Sequence, residues 1–313
     1  MPLDRHVKRI LDMLAAGAPS EPAPPDVLQL RQDMERLARA VDARDIPIGA
    51  VENRCLPGPA GALPFRLYVP AGIANPHSPA LIFFHGGAGV SGSLDTHDGM
   101  CRILANSSAC RIFSIDYRLA PEYPFPAAVE DSYVALRWIV NHAAELNLDP
   151  ARIGVGGDSH GGTLAAVVCQ RARDSAGARI SFQLLICPVL DLAGTSPSRE
   201  QFATGYFLDA RLLTWASEVY CPSRTDLVDE RVSPLRASDL AGLPPAYVHT
   251  AEFDPMRDEG RAYADALECA GVRVSYTCHP GMIHHFYAMC GAIPSARRAL
   301  EEAGAALRNV LGD

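Results

Sequence analysis

Residues 153–162 read Ile-Gly-Val-Gly-Gly-Asp-Ser-His-Gly-Gly and place a serine, Ser159, between two glycines in the pattern G-x-S-x-G. An apolar, strand-like run ends at this pattern, and the residues from Thr163 to Val168 are typical of a helix. Glycines at 157 and 161 let the chain reverse from strand to helix in one sharp turn, where side chains would collide. The strained turn lifts the serine hydroxyl clear of the sheet. The stretch therefore predicts Ser159 as a nucleophile, although a turn that binds phosphate or only packs carries the same pattern.

A second glycine-rich segment lies upstream, where the apolar run 80–84 leads into His85-Gly86-Gly87-Ala88. Attack on an ester carbonyl creates an oxyanion, which backbone N–H groups must be aimed at in advance. Glycines allow the backbone to approach that closely, and His85 is expected to tie down the loop; the alternative is an ordinary glycine-rich turn. The oxyanion hole is assigned to this loop and to the residue after the serine: Gly86, Gly87, Ala88 and His160.

A serine hydroxyl needs a neighbouring base, which is usually an imidazole. In an enzyme with G-x-S-x-G the acid and then the histidine follow the serine along the chain. His249 lies inside a predicted strand and is expected to be a core residue, and His279 ends the last predicted strand. His284 and His285 occupy the loop after that strand, where the base belongs. The pattern alone does not choose between these two.

The acid is expected just after the preceding strand, and this position holds Asp254. Asp254 precedes Pro255 and a predicted helix, so it also reads as a helix N-cap, which would turn its carboxylate away from the base. Glu252 and Asp258 are the alternative acids.

The order of elements predicts an α/β fold with a mostly parallel, eight-stranded sheet covered by helices on both faces. A short turn between the first two strands favours an antiparallel hairpin at the sheet edge. Strands are predicted near 50–56, 63–69, 80–84, 111–115, 152–156, 181–187, 245–250 and 272–278. Helices are predicted near 96–107, 126–144, 160–174, 257–270 and 294–310.

Two segments do not follow the alternation of strands and helices. Residues 1–47 hold two amphipathic helices joined by a Pro-rich linker at 19–25, and they precede the first strand. Residues 190–240 form a long insertion after a strand. We expect the catalytic domain to be 48–313, with 1–47 and 190–240 as the two parts of a small helical cap.

Composition excludes some functions. The chain has 313 residues and a formal charge of -8, which disfavours nucleic acid and anionic membranes as partners. A run of about 18 apolar residues, the minimum for a membrane span, is absent from the sequence. Its nine cysteines form no C-x-x-C pair. They are expected to be buried free thiols rather than metal ligands or disulfides, which suits a reducing cytoplasm.

Five motifs in order resemble the bacterial hormone-sensitive-lipase-like esterases of the α/β-hydrolase superfamily. They are His85-Gly-Gly-Ala88, the run from Asp116 to Ala127, Gly157-Asp-Ser-His-Gly-Gly162, Asp254-Pro-Met-Arg-Asp-Glu259 and Gly281-Met-Ile-His-His-Phe286. The resemblance covers most of the chain from about residue 63 to residue 290. It implies the α/β-hydrolase fold, the two-part cap and a triad of Ser159, Asp254 and His284. Within the second motif, the run Tyr117–Glu122 is expected to be structural, connecting a strand to its helix, rather than catalytic.

Three positions depart from the family pattern. Ala88 replaces the third glycine of the oxyanion loop, His160 replaces an alanine and His285 replaces a glycine. The two added imidazoles are either surface or pocket-wall variants without a functional role, or groups that narrow or polarise the substrate pocket. His285 is the candidate pocket residue.

The sequence thus predicts a serine carboxylesterase that acts on short- to medium-chain acyl esters through an acyl-enzyme. An amidase or deacetylase with the same triad is the nearest alternative, and a non-catalytic small-molecule receptor on the same scaffold is a remote one. This chemistry needs no cofactor and no metal. The expected partner is a small-molecule ester, and the resemblance suggests a homodimer.

Overall fold

An eight-stranded sheet crosses the protein in the order β1-β2-β4-β3-β5-β6-β7-β8. The computed structural model describes residues 2–17, 26–72, 77–175 and 177–311, so the linker predicted at 19–25 lies outside the described residues. The strands are β1 Ala50–Gly58, β2 Gly61–Val69, β3 Ser78–Phe84, β4 Arg111–Ile115, β5 Leu148–Asp158, β6 Gln183–Ile186, β7 Ala246–Phe253 and β8 Val274–Ile283. Each overlaps one of the eight strands predicted from the sequence.

The sheet is mostly parallel, as predicted. From β4 to the β8 edge every neighbouring pair is parallel. β1 and β2 form an antiparallel hairpin, and β2 joins the sheet antiparallel to β4. Parallel strands end at the same edge, so the loops after β3, β5, β7 and β8 meet there.

Helices cover both faces of the sheet. The helices are α1 Arg5–Gly17, α2 Val27–Val41, α3 Asp98–Ser108, α4 Ala127–Asn141, α5 His160–Asp174, α6 Pro197–Gln201, α7 Ala210–Tyr220, α8 Arg257–Cys269 and α9 Pro294–Leu311. One apolar cluster contains buried residues of α4, α5 and α8, and a second contains those of α3, α9 and the start of α1. These two clusters fix the sheet between its helical layers and make its strand ends a rigid platform.

The segments that break the alternation are helical. α1 and α2 precede the sheet, and α6 and α7 lie in the insertion between β6 and β7. The start of α1 is anchored to the body, because the Asp4 N–H donates to the Gly281 carbonyl at 3.0 Å. None of the described helices combines the length and apolar character that crossing a bilayer requires.

The cysteine prediction holds for most but not all of the thiols. Cys101, Cys110, Cys169, Cys187, Cys221 and Cys290 are buried, and all nine cysteines are free. Cys55 and Cys269 are exposed and Cys278 is half-buried, so the expectation of burial is wrong for these three. Cys55 lies on the edge strand β1, and Cys269 is the last residue of α8.

Candidate active site

Ser159 stands between the end of β5 and the start of α5 in a conformation that L-residues rarely adopt, with φ 53° and ψ −122°. The two neighbouring glycines make this turn possible. A Cβ on Gly161 would overlap the carbonyl oxygen of Phe84, and one on Gly157 would overlap the backbone of Gly161. The turn is further held by the Ser159 N–H, which donates to the Ile186 carbonyl on β6 at 2.8 Å. Close packing of strand ends thus fixes the serine in its strained form.

The serine hydroxyl contacts an imidazole, which in turn contacts a carboxylate. Ser159 Oγ lies 2.9 Å from His284 Nε2, and His284 Nδ1 lies 2.9 Å from Asp254 Oδ2. Asp254 is fully buried, and its other oxygen, Oδ1, accepts the Met256 N–H at 2.8 Å. The N-cap expected at Asp254 is wrong, because α8 begins after Met256; the bond from the Met256 N–H closes a turn before the helix and leaves Oδ2 for the base. This is the geometry of a Ser-His-Asp triad.

The charge of Asp254 also tunes the base. Burial of His284 by itself lowers the pKa of the imidazole, because it penalises the charged ring. The charge of Asp254 and its hydrogen bond outweigh burial, so the pKa of His284 is raised above its ordinary value of 6.5. The imidazole is therefore a stronger base than a free histidine.

The alternative acids and bases are engaged elsewhere. Glu252 accepts the Gly281 N–H at 2.7 Å, and Asp258 accepts the Ser198 N–H at 2.8 Å. His249 and His279 contact each other at 3.0 Å, and both contact the Tyr287 hydroxyl. His249 is buried, as predicted for a core residue.

The loop after β3 brings free N–H groups to the serine. Gly87, Ala88 and Gly89 all have positive φ, of 124°, 57° and 71°. In the described part of the chain, the N–H groups of Gly87 and Ala88 donate to no protein acceptor. The Gly86 N–H differs, because it donates to Asp158 Oδ1 at 2.8 Å. His160 begins α5, so its N–H belongs to the unsatisfied first turn of that helix.

Side chains from two other segments, Tyr117 and Arg31, hold this loop. The Tyr117 hydroxyl donates to the His85 carbonyl at 2.7 Å, and the two rings stack 4.4 Å apart. From α2, Arg31 donates to the Val90 carbonyl at 2.9 Å and pairs with Glu122 at 2.7 Å. Tyr117 thus has a structural role, as expected, whereas no sequence pattern indicated Arg31.

A buried carboxylate next to the serine connects three loops. Asp158 Oδ1 lies 3.0 Å from His97 Nε2 as well as accepting the Gly86 N–H, and Oδ2 lies 3.2 Å from His285 Nδ1. Although burial opposes ionisation, the charge of His97 and hydrogen bonds from both histidines hold the pKa of Asp158 well below its ordinary value. Nothing in the sequence pattern pointed to His97.

A cavity of about 190 Å³ opens above Ser159. Residues from α1, α2, the loop after β3 and the insertion line this cavity together with Ser159, His284 and His285. The apolar lining consists of Leu14, Leu30, Met34, Leu37, Val189, Phe207, Leu208, Leu212, Leu213 and Ala216, with Gly87 and Ala88 of the loop. Asp33 and Ser91 complete the described lining.

His160 takes a different position from His285. Its side chain is buried against Tyr220, with ring centroids 4.4 Å apart, and does not line the cavity. Burial lowers the pKa of His160 to about 3, so the ring is neutral.

Among the described residues, two sets of side chains have ligand atoms close enough for a metal ion. His97, Asp158 and His285 form one set, and Cys187, Asp254 and His284 form the other; the ligand atoms in each set lie within 4.8 Å of one another. The first set is hydrogen-bonded internally, and the second includes the acid and base of the triad. Cys187 is a neighbour of Asp254 that the sequence analysis missed.

Comparisons with known proteins agree with this geometry. A family model described as alpha/beta hydrolase fold matches residues 81–288. The esterase LipI of Mycobacterium tuberculosis is 41% identical over 83% of this chain and 82% of its own length. An arylesterase of Saccharolobus solfataricus is 35% identical over 99% of both chains. The structure of the ester-hydrolase EH1AB1, from the metagenome of Lake Arreo, superposes with a TM-score of 0.94 at 43% identity and 98% coverage of both chains. The chain belongs to the α/β-hydrolase fold family, among its hormone-sensitive-lipase-like esterases.

Proposed function

We propose that this protein hydrolyses small, uncharged carboxylic esters with short- to medium-length acyl chains, with Ser159 as nucleophile, His284 as base and Asp254 as its orienting acid. The observation that carries the proposal is the unbroken chain of contacts from the serine hydroxyl through the imidazole to the buried carboxylate, each 2.9 Å long. A hydroxyl held in this way loses its proton to the ring as it attacks a carbonyl.

The reaction follows from the position of each group. His284 Nε2 takes the serine proton while Oγ bonds to the ester carbonyl carbon, and negative charge collects on the carbonyl oxygen. The free N–H groups of Gly87, Ala88 and His160 stabilise this oxyanion. Protonated His284 then gives its proton to the departing alcohol, which leaves an acyl-serine. Water, deprotonated by the same ring, releases the acid.

The cavity supports the proposed substrate class. Its volume of about 190 Å³ suits a small ester, since pockets that bind drug-sized ligands measure about 300 Å³ or more. The lining is mostly apolar, and its charged side chain outside the triad is the carboxylate of Asp33. That carboxylate is half-exposed and pairs with Arg36, so the preference for uncharged esters rests on the apolar lining instead.

We further propose that residues 1–47 and 190–240 form the two parts of a cap. Leu30 and Met34 of α2 and Leu208 and Leu212 of the insertion lie on the same cavity as Ser159. A lining shared by both segments excludes water from the ester and limits its size.

The test is hydrolysis of p-nitrophenyl acetate, butyrate and hexanoate by the wild type and by Ser159→Ala. We expect Ser159→Ala to leave at most a trace of activity on every ester, and the wild type to favour the shorter chains. Ser132→Ala is the matched control, because that hydroxyl donates to the Ala128 carbonyl within α4, and it should retain wild-type rates. Substantial hydrolysis by folded Ser159→Ala would overturn the proposal.

A further inference from the structure

Two aromatic rings stack in the cavity at positions where the backbone favours glycine. His285 and Phe207 have φ of 65° and 77°, and their rings lie parallel within 5°, with centroids 5.8 Å apart. Both line the cavity that contains Ser159. Left-handed backbone is unfavourable for such side chains and persists only where the surroundings hold it, which is common at ligand sites.

The contact with Asp158 determines where His285 carries its proton. Asp158 is ionised, because the charge of His97 and hydrogen bonds from two histidines outweigh its burial and lower its pKa. An ionised carboxylate only accepts hydrogen bonds, so Nδ1 of His285 must be the donor across the 3.2 Å contact. Burial lowers the pKa of His285, which keeps the ring neutral at neutral pH. A neutral ring with its proton on Nδ1 carries a bare lone pair on Nε2.

The lone pair on Nε2 of His285 accepts no hydrogen bond from the described part of the protein. The described side chains and backbone provide no hydrogen-bond partner for Nε2 of His285, whereas its Nδ1 is engaged. His285 lines the cavity and is 9% exposed, and Nε2 is not among the fully enclosed polar atoms that lack a partner, so this atom is accessible. A hydrogen-bond acceptor is thus placed in a mostly apolar pocket, beside the nucleophile.

We propose that Nε2 of His285 accepts a hydrogen bond from the substrate, and that preferred substrates are esters with a hydroxyl or amide N–H donor near the ester group. Hydroxyacyl esters and monoesters of diols belong to this class. The inference rests on the proposed esterase function and narrows its substrate class. A donor that reaches Nε2 replaces water there, and an ester without one leaves the acceptor unpaired.

Two other polar side chains on the cavity, Asp33 and Ser91, could accept a hydrogen bond from the same substrate donor. Asp33 already accepts from Gln29 at 3.1 Å and pairs with Arg36, and its side chain is 52% exposed. Ser91 donates to the Gly87 carbonyl at 3.1 Å. Asp33→Asn and Ser91→Ala therefore serve as controls for the source of any preference.

The experiment compares kcat/KM for pairs of esters that differ in one hydroxyl. Butyrate and both enantiomers of 3-hydroxybutyrate, as p-nitrophenyl esters, test the acyl side. Ethyl butyrate and 2-hydroxyethyl butyrate test the alcohol side. Each variant's ratio is divided by the ratio of alkaline hydrolysis, which removes the intrinsic reactivity of the esters. Because both esters are measured on one preparation, any loss of folded protein cancels.

Three substitutions separate the pocket acceptor from the bond to Asp158. Asn tolerates left-handed backbone and can donate to Asp158, but it is too short to place an acceptor where Nε2 lies. Gln reaches that place with its amide oxygen. Gly removes both interactions without backbone strain. We expect His285→Asn and His285→Gly to lose the preference and His285→Gln to keep part of it.

In the wild type the hydroxylated ester of at least one pair should be favoured roughly 3- to 10-fold in kcat/KM, the effect of one neutral hydrogen bond. No preference in either pair, or one that survives in His285→Gly, would overturn the inference. Loss of the preference in Asp33→Asn or Ser91→Ala but not in His285→Asn would overturn it too. Hydrolysis that persists in Ser159→Ala would instead refute the underlying esterase assignment.

Discussion

At the scale of single residues, the two carboxylate oxygens of Asp254 have different hydrogen-bond partners. One orients His284, and the other accepts the Met256 N–H, which fixes the carboxylate at the start of the following helical segment. The N-cap position expected for Asp254 is held by Met256, two residues later, so capping and catalysis do not compete here. The distances show that one buried carboxylate satisfies a backbone donor and the imidazole together.

The activity should depend on pH through His284. Only the neutral ring accepts the serine proton, and its pKa is raised. Protonated, inactive enzyme therefore predominates at low pH, and kcat/KM should rise with pH with a midpoint above 6.5. Asp254→Asn removes the charge that raises this pKa, so its midpoint should shift to lower pH, and its plateau should fall by about 10³–10⁴-fold.

These values come from kcat/KM profiles on p-nitrophenyl butyrate between about pH 5 and pH 9. Asp258→Asn is the matched control, because its carboxylate binds the Ser198 N–H and not the base. A profile of Asp254→Asn identical to that of the wild type would assign the acid to another residue.

At the scale of elements, the turn from β5 into α5 depends on glycine for space rather than flexibility. Gly161 packs so close to the end of β3 that a methyl group would displace the helix. We expect Gly161→Ala to cost about 1–3 kcal/mol in the free energy of unfolding, as overpacking does, and to abolish most ester hydrolysis. Gly17→Ala at the end of α1 has nothing within 4 Å and should change neither. Thermal unfolding and activity at one temperature measure both effects.

Sequence predicts the elements well because each has a local cause. Apolar runs bounded by glycine and proline marked all eight strands, and the G-x-S-x-G turn marked Ser159. The choice of His284 over His285 needed the family resemblance, because two adjacent histidines in a loop have no periodicity to separate them.

The parts that sequence did not predict are contacts between distant side chains. His97, the residue just before α3, lies 61 residues before Asp158 in the chain, and Arg31 lies 91 residues before Glu122. No local pattern encodes such pairs, since they depend on how helices dock on the sheet. The exposure of Cys55 was missed for a similar reason, because burial of a strand residue depends on which face is covered.

At the scale of the whole molecule, Arg31 fastens a helix of the proposed cap to the oxyanion loop. It bonds the Val90 carbonyl and a second carbonyl, that of Ala120, besides pairing with Glu122. We expect Arg31→Met to raise KM several-fold and to lower kcat less, because α2 lines the cavity whereas Tyr117 still holds the oxyanion loop. Glu122→Gln keeps both carbonyl contacts and should differ little from the wild type. Steady-state kinetics distinguish the two variants, and a lowered kcat with unchanged KM would contradict the role.

The assembly and location expected from the sequence, a homodimer in the cytoplasm, remain predictions. Sedimentation in the presence of a reductant tests the first, because the exposed thiols of Cys55 and Cys269 can cross-link chains under oxidising conditions.

The position of Asp158 limits how this pocket can be redesigned. The oxyanion loop, the turn that carries the nucleophile and the loop that carries the base all meet on its carboxylate. A substitution at His285 intended to reshape substrate choice therefore also perturbs the machinery of bond cleavage. Adaptive changes at positions 97, 158 and 285 should be strongly epistatic, and directed evolution would have to alter them jointly rather than one at a time.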